Sequence, residues 1–139
     1  MESTIVEGPG TVVPDLVDIG DGDLPRMRWV CCIIRPERLD AVKDALEQLH
    51  VVGGMTVSDV RGFGRQKGQV EHYRGGEYVV RFVPKIRLDL ALRLEDVDRV
   101  LQALASAART GQVGDGKVFV IPLRQALRIR TGERGSVAL

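Results

Sequence analysis

From Arg28 onward the apolar residues of this chain fall into runs and periods that divide it into elements. Trp29-Val-Cys-Cys-Ile-Ile34 is a short unbroken apolar run, the pattern of a strand covered on both faces. Pro36 follows where a first helical turn tolerates it. Leu39, Val42, Leu46 and Leu49 then recur at three- and four-residue spacing, which predicts an amphipathic helix over residues 36–49. Gly53-Gly54 breaks that period, and Met55-Thr-Val-Ser-Asp-Val60 alternates as a strand does. Residues 62–78 carry five glycines among charges with no period at all, which predicts a long functional or mobile loop. A third strand follows, with Phe82, Ile86, Leu88, Leu90 and Leu92 toward one face and Lys85, Arg87 and Asp89 toward the other. Val97, Val100, Leu101, Leu104 and Ala108 mark a second helix, Gly111, Gly114 and Gly116 a turn, and Val118–Ile121 a last strand.

The order β-α-β-β-α-β predicts an α+β, ferredoxin-like domain with both helices on one face of the sheet. A first strand that is apolar on both sides then leaves an open face to cover, and another subunit is the natural cover. Residues 1–26 stand apart. Their glycines and prolines lie among six acids (Glu2, Glu7, Asp15, Asp18, Asp21, Asp23) against Arg26 alone, a net −5. They are expected to form a flexible acidic N-terminal extension, with the folded domain spanning 27–139.

Overall composition is that of an ordinary globular protein: 139 residues, 44% hydrophobic, 28% charged. The net charge of +1 argues against a general polyanion binder, although the extension leaves the remainder at +6. Cys31 and Cys32 are adjacent, so in a strand they point to opposite faces and are expected to be reduced thiols of a cytoplasmic protein. No secretory signal or membrane-spanning apolar run is legible.

The most informative stretch is Thr110-Gly-Gln-Val-Gly-Asp-Gly-Lys117. Gly111 to Lys117 has the spacing of a phosphate loop, where glycines let backbone N–H groups crowd an anion and a lysine adds a point charge. Val118 stands where a Ser or Thr would hold magnesium, and the context is helix–loop–strand rather than strand–loop–helix. The Walker reading therefore fails and a phosphate site or a plain glycine turn remains. Arg61-Gly-Phe-Gly64 matches the start of the RNA-recognition signature, but Arg65-Gln66-Lys67 stands where the stacking aromatics belong, and aromatics are 4% of the chain. Arg128-Ile-Arg130 alternates like a strand, which would put both guanidinium groups on one face to grip phosphate or leave them as solvated charges. Lys85 and Asp89 share a strand face and read equally well as polar sheet surface. His50 and His72 lack ligand-spaced companions and are placed at a helix end and on a loop surface. No nucleophile–base set or paired acids can be assembled, so catalysis is not supported.

In order, Ile33-Ile-Arg-Pro36, Gly54-Met-Thr-Val57, Gly62-Phe-Gly-Arg-Gln-Lys-Gly68, Tyr73-Arg-Gly-Gly-Glu-Tyr78, Ala108-Arg-Thr-Gly111, Gly114-Asp-Gly-Lys117 and Arg128-Ile-Arg-Thr-Gly-Glu133 resemble the PII signal-transduction family. The resemblance implies a homotrimer that regulates nitrogen metabolism without catalysis, binding ATP or ADP in clefts between subunits. It implies a T-loop at about 63–82 that engages targets, a B-loop at about 109–117 and a C-terminal segment over 124–139. By the same resemblance, Thr56, Gly62, Phe63, Gly64, Arg65, Asp89, Gly114, Asp115, Gly116, Lys117, Arg128 and Arg130 are the nucleotide residues. Gln66, Lys67, Gly68 and Lys85 would take 2-oxoglutarate, with Gln66 at a Mg2+ ion, and Tyr78 is the position modified in many members. Implied partners are an ammonium channel, a nucleotidyltransferase or N-acetylglutamate kinase; nucleic acid and direct membrane insertion are not implied. Departures are Asp89 for the usual Glu, Arg81 for a common acid, Gln112 for a frequent Lys, and one residue inserted near Gly53. A same-fold RNA-binding module and a phosphotransferase are the rival readings.

Overall fold

Each apolar run becomes a strand or helix around one antiparallel sheet. The computed structural model describes residues 5–6, 12–13, 26–64, 70–73, 76–79 and 82–139. Its elements are β1 (Ile5–Val6), β2 (Val12–Val13), β3 (Met27–Ile34), α1 (Leu39–Glu47), β4 (Thr56–Gly62), β5 (Val70–Tyr73), β6 (Gly76–Val79), β7 (Val83–Arg93), α2 (Val97–Ala108) and β8 (Gly116–Pro122). The main sheet has the order β4-β7-β3-β8, every neighbour antiparallel. With α1 and α2 crossing between strands, this is the ferredoxin-like arrangement expected.

The two-residue period decides which face is core. Val30, Cys32 and Ile34 of β3 and Ile86, Leu88, Leu90 and Leu92 of β7 are buried. They meet Val42 and Leu46 of α1 and Val97, Val100, Leu104 and Ala108 of α2 in one cluster. Alternate residues point to the face without helices. There Trp29, Phe119 and Ile121 remain 40%, 50% and 49% exposed, an apolar surface with no cover from the chain's own described residues. Cys31 and Cys32 are free and divide between the two faces. Burial pushes the Cys32 thiol up to about 11 and raises that of Cys31, so both are protonated at neutral pH.

Several expectations need correction. The first helix opens as a 3₁₀ turn at Pro36–Arg38 and is α-helical only over Leu39–Glu47. Bonds from Leu49 N to Leu46 O and from His50 N to Glu47 O tighten its end, where His50 takes φ 56. The stretch 62–78 is not simply a loop, because β5 and β6 pair in it, from Val70↔Val79 to Tyr73↔Gly76. Strands of four residues offer too few positions for alternation to show. His72 consequently lies in a strand. Phe82 is 61% exposed rather than core, since it precedes β7 and packs against Phe63. Of the N-terminal extension, β1 and β2 pair antiparallel, and the rest of residues 1–25 lies outside the described residues. Among the described residues no helix is long and apolar enough to cross a membrane.

Candidate functional site

The glycines after α2 let the chain turn back over the end of the sheet. Gly111, Gly114 and Gly116 all take positive φ (90°, 102°, 108°), conformations that L side chains avoid. At Gly116 the constraint is also spatial, because a Cβ there would sit 1.7 Å from the Ile33 carbonyl oxygen. Asp115 braces the loop from inside. Its carboxylate accepts from the amides of Thr110 and Gly111 (2.8 Å each), from the Thr110 hydroxyl, and from Arg35 Nε at 2.9 Å. The Thr110 hydroxyl above all, then Arg35, hold this carboxyl well below the usual carboxylate range. Arg35 also donates Nη2 to Val113 O at 2.8 Å, so the end of β3 is tied to the loop twice.

Beneath the loop, Lys85 is buried and its Nζ donates to Gly114 O. Burial first, and the nearby Arg35 charge second, push its pKa below that of an ordinary lysine. The reading of Lys85 as polar sheet surface is therefore corrected: the loop covers it. Together these parts form a cleft of about 820 Å³ lined by Ile33, Gly62, Phe63, Gly64, Val83, Lys85, Gln112, Val113, Gly114, Asp115, Gly116, Lys117 and Phe119. Phe63, which lines the cleft, packs against Phe82 with centroids 5.8 Å apart and the rings tilted at 45°, which brings together the two ends of the 63–82 segment.

Of the residues singled out in the sequence, Gly62, Phe63, Gly64, Lys85, Gly114, Asp115, Gly116 and Lys117 line this cleft. Arg65, Gln66, Lys67 and Gly68 lie outside the described residues. Thr56 and Asp89 do not line it. They are register partners across β4 and β7, where Asp89 accepts from Trp29 Nε1 (3.0 Å) and Arg87 Nε (3.0 Å). Arg128 and Arg130 are also elsewhere, and not in a strand. Leu127↔Arg134 is an isolated bridge closed around a turn in which Gly132 takes φ 73. Arg128 there holds Glu133 (3.1 Å) and the carbonyls of Val137, Ala138 and Leu139, while Arg130 is exposed. The alternation Arg-Ile-Arg resembles a strand, but the glycine two residues on turns the chain. Tyr78 lies in β6, opposite Glu71.

Arg35 is the functional residue that sequence reasoning missed. Its partner lies eighty positions away, a pairing with no local signal. Chemically, the cleft offers glycine amides and two lysines, Lys85 and Lys117, to an anion. Among the described residues no group of three His, Cys, Asp or Glu is placed to hold a metal ion. The carboxylate in the cleft is already committed to the loop. A divalent cation entering here must bring anionic ligands of its own.

Residues 27–133 match the family model described as nitrogen regulatory protein P-II. The chain is 52% identical over 113 residues to the nitrogen regulatory protein P-II of Microchaete diplosiphon, covering 81% of this chain and 100% of the relative. It is 53% identical to that of Synechocystis sp. and 50% to that of Rhizobium etli, with the same coverage. The crystal structure of Arabidopsis thaliana PII bound to citrate superposes with a TM-score of 0.67 at 37% identity, over 83% of this chain and 94% of that one.

Proposed function

Because this chain belongs to the P-II family of nitrogen regulatory proteins, we propose that it is a non-catalytic sensor, binding ATP or ADP and 2-oxoglutarate at clefts between the subunits of a homotrimer. The observation that carries this reading is the division of the candidate residues. One group lines the cleft under the glycine loop, while Thr56, Asp89, Arg128 and Arg130 lie outside it. Two half-sites on one chain are what a ligand seated between neighbouring subunits requires. The exposed apolar face bearing Trp29, Phe119 and Ile121 supplies a surface for such neighbours to bury.

In this reading the amides of Gly114 and Gly116 and the Lys117 ammonium take the outer phosphates, where glycine-lined N–H groups and a point charge stabilise anionic oxygens. Arg130 and Arg128 approach the same polyphosphate from the next subunit. Thr56 and Asp89 face the base, and Arg65 joins the phosphate contacts. A Mg2+ ion arrives with the nucleotide and is completed by Gln66, and 2-oxoglutarate lies against Lys85 and the Gln66–Gly68 backbone. The segment 63–82, pinned at its ends by Phe63 and Phe82, shifts population with the ligand and presents that shape to targets, with Tyr78 as a position for modification. An ammonium channel, a nucleotidyltransferase and N-acetylglutamate kinase are the target classes, and a cytoplasmic setting fits free, protonated thiols.

Calorimetry tests it. We expect 2-oxoglutarate to bind when Mg-ATP is present and not with ADP, because the γ-phosphate helps position the metal. By linkage, 2-oxoglutarate must tighten ATP by the factor with which ATP tightens 2-oxoglutarate. Lys85→Met should abolish the coupling. Binding of 2-oxoglutarate that ignores both magnesium and Lys85→Met would overturn the assignment.

A further inference from the structure

Arg35 is set against the glycine loop by the chain on both sides of it. It follows the last residue of β3 and precedes Pro36, and a residue before proline is kept out of the helical region. Its backbone is accordingly extended, with φ −67° and ψ 140°. Ile34 pairs with Gly116, so this strand end lies beside the exit of the loop. From there the guanidinium uses two nitrogens: Nε donates to Asp115 Oδ1 at 2.9 Å and Nη2 to Val113 O at 2.8 Å. Nη1 lies 4.0 Å from Glu37. The Arg35 side chain is 13% exposed and that of Asp115 22%, so solvent screens this pair less than it does a surface pair. Lys85 grips the next carbonyl along, Gly114 O, and is close enough for the Arg35 charge to act on it.

Those two grips fix more than the carbonyls. In a trans peptide the C=O of one residue and the N–H of the next point in opposite directions, and the described peptide bonds are all trans. With Val113 O held by Arg35, the Gly114 N–H points away from Arg35. With Gly114 O held by Lys85, the Asp115 N–H points away from Lys85. Because the two cations are neighbours, two successive amides turn toward the same side of the loop, the arrangement that seats an anion. We propose that Arg35 is a positioning residue for phosphate: by holding Val113 and Asp115 it aims the Gly114 and Asp115 amides at the anion. This role rests on the reading of the loop as the seat of the outer phosphates, and it adds the Asp115 amide to that seat. Arginine suits it because the planar fork serves a carboxylate and a carbonyl together, where lysine has a single nitrogen.

The test compares the full-length ¹⁵N-labelled parent with Arg35→Gln and Arg35→Lys, each checked for an intact sheet by the β3 and β7 amide resonances. Without ligand, Arg35→Gln should move the Gly114 and Asp115 amide resonances. Asp115 faces Arg35 from the end of β3, Lys85 from β7 and Thr110 from its own loop. With Arg35 gone, the acid transition followed at the Thr110 and Gly111 amides should rise toward the ordinary carboxylate range, while Thr110 still holds it below. In calorimetry Arg35→Gln should weaken ATP roughly three- to thirtyfold, as the loss of one or two amide bonds would, and AMP by less than about twofold. Arg35→Lys should recover part of the loss. An Arg35→Gln chain that binds ATP as tightly as the parent would overturn the proposal, and so would equal losses for ATP and AMP. A parent that binds neither nucleotide would strike the reading of the loop itself. The Gly114 and Asp115 resonances then decide alone: shifted in Arg35→Gln they uphold the role of Arg35, and unmoved they overturn it.

Discussion

A carboxylate that accepts from the Thr110 hydroxyl and amide, from Gly111 and from Arg35 has little capacity left for a ligand. Asp115 therefore acts by shaping the loop, whose other groups are the ones left open to the anion in the proposed reading. Its folded pKa is depressed below the ordinary 3.8, so its contribution to stability is complete above that value and is lost as pH falls through 3.8 toward the depressed value. The Thr110 and Gly111 amide resonances should accordingly stay fixed between neutral pH and about pH 5 and shift only in stronger acid. A midpoint near neutrality would show that the carboxylate is not held as described. Lys117, by contrast, lines the cleft with an exposed side chain and is free to meet phosphate. Since a hydrogen bond to a charged group contributes about 1.5–3 kcal/mol, Lys117→Ala should weaken ATP roughly ten- to a hundredfold. It should weaken AMP, which lacks the outer phosphates, far less. Equal losses in calorimetry would place the lysine elsewhere along the nucleotide.

The loop between α2 and β8 and the strand it enters depend on glycine for two separable reasons. At Gly111 only the backbone conformation is at stake, because an added Cβ meets nothing within 4 Å. At Gly116 the Cβ would also collide with the Ile33 carbonyl, on the strand that pairs with β8. Gly111→Ala should therefore cost about 1–2 kcal/mol of conformational strain. Gly116→Ala should cost about 3 kcal/mol or more, read from urea unfolding at matched protein concentration. Similar losses at both positions would remove the steric argument. Element by element, the sequence was most legible where a period runs long enough to show, as in α2, which spans Val97–Ala108, and in β7, which begins at Val83, one residue after the expected Phe82. The glycine spacing before Lys117 marked the turn that lines the cleft, but nothing local in the sequence revealed that Asp115 and Arg35 brace it. β5 and β6 escaped because four-residue strands barely alternate. Arg128 and Arg130 misled in the other direction: their alternation reads as a strand, while Gly132 and the C-terminal carbonyls hold a turn.

At the scale of the whole molecule, the sheet has helices on one side only, and the candidate site is divided. The pattern of Trp29–Ile34 announced the first property, since an apolar run on both faces needs two covers. The second was not legible, because spacing along a chain does not say which residues share a cleft. Both point to neighbouring copies, and light scattering should give a mass of three chains. The division itself can be tested with two variants that each break one half-site. Lys117→Ala removes a lysine under the loop. Arg130→Ala removes an exposed arginine that, unlike Arg128, does not anchor the C-terminal carbonyls. Each variant alone should bind ATP weakly. When they are unfolded together in equal amounts and refolded, random assembly around a closed ring should leave about a quarter of the clefts with both groups intact. Calorimetry should then recover tight ATP binding at that fraction of sites, and a mixture that binds no better than its parents would contradict a nucleotide site shared between subunits.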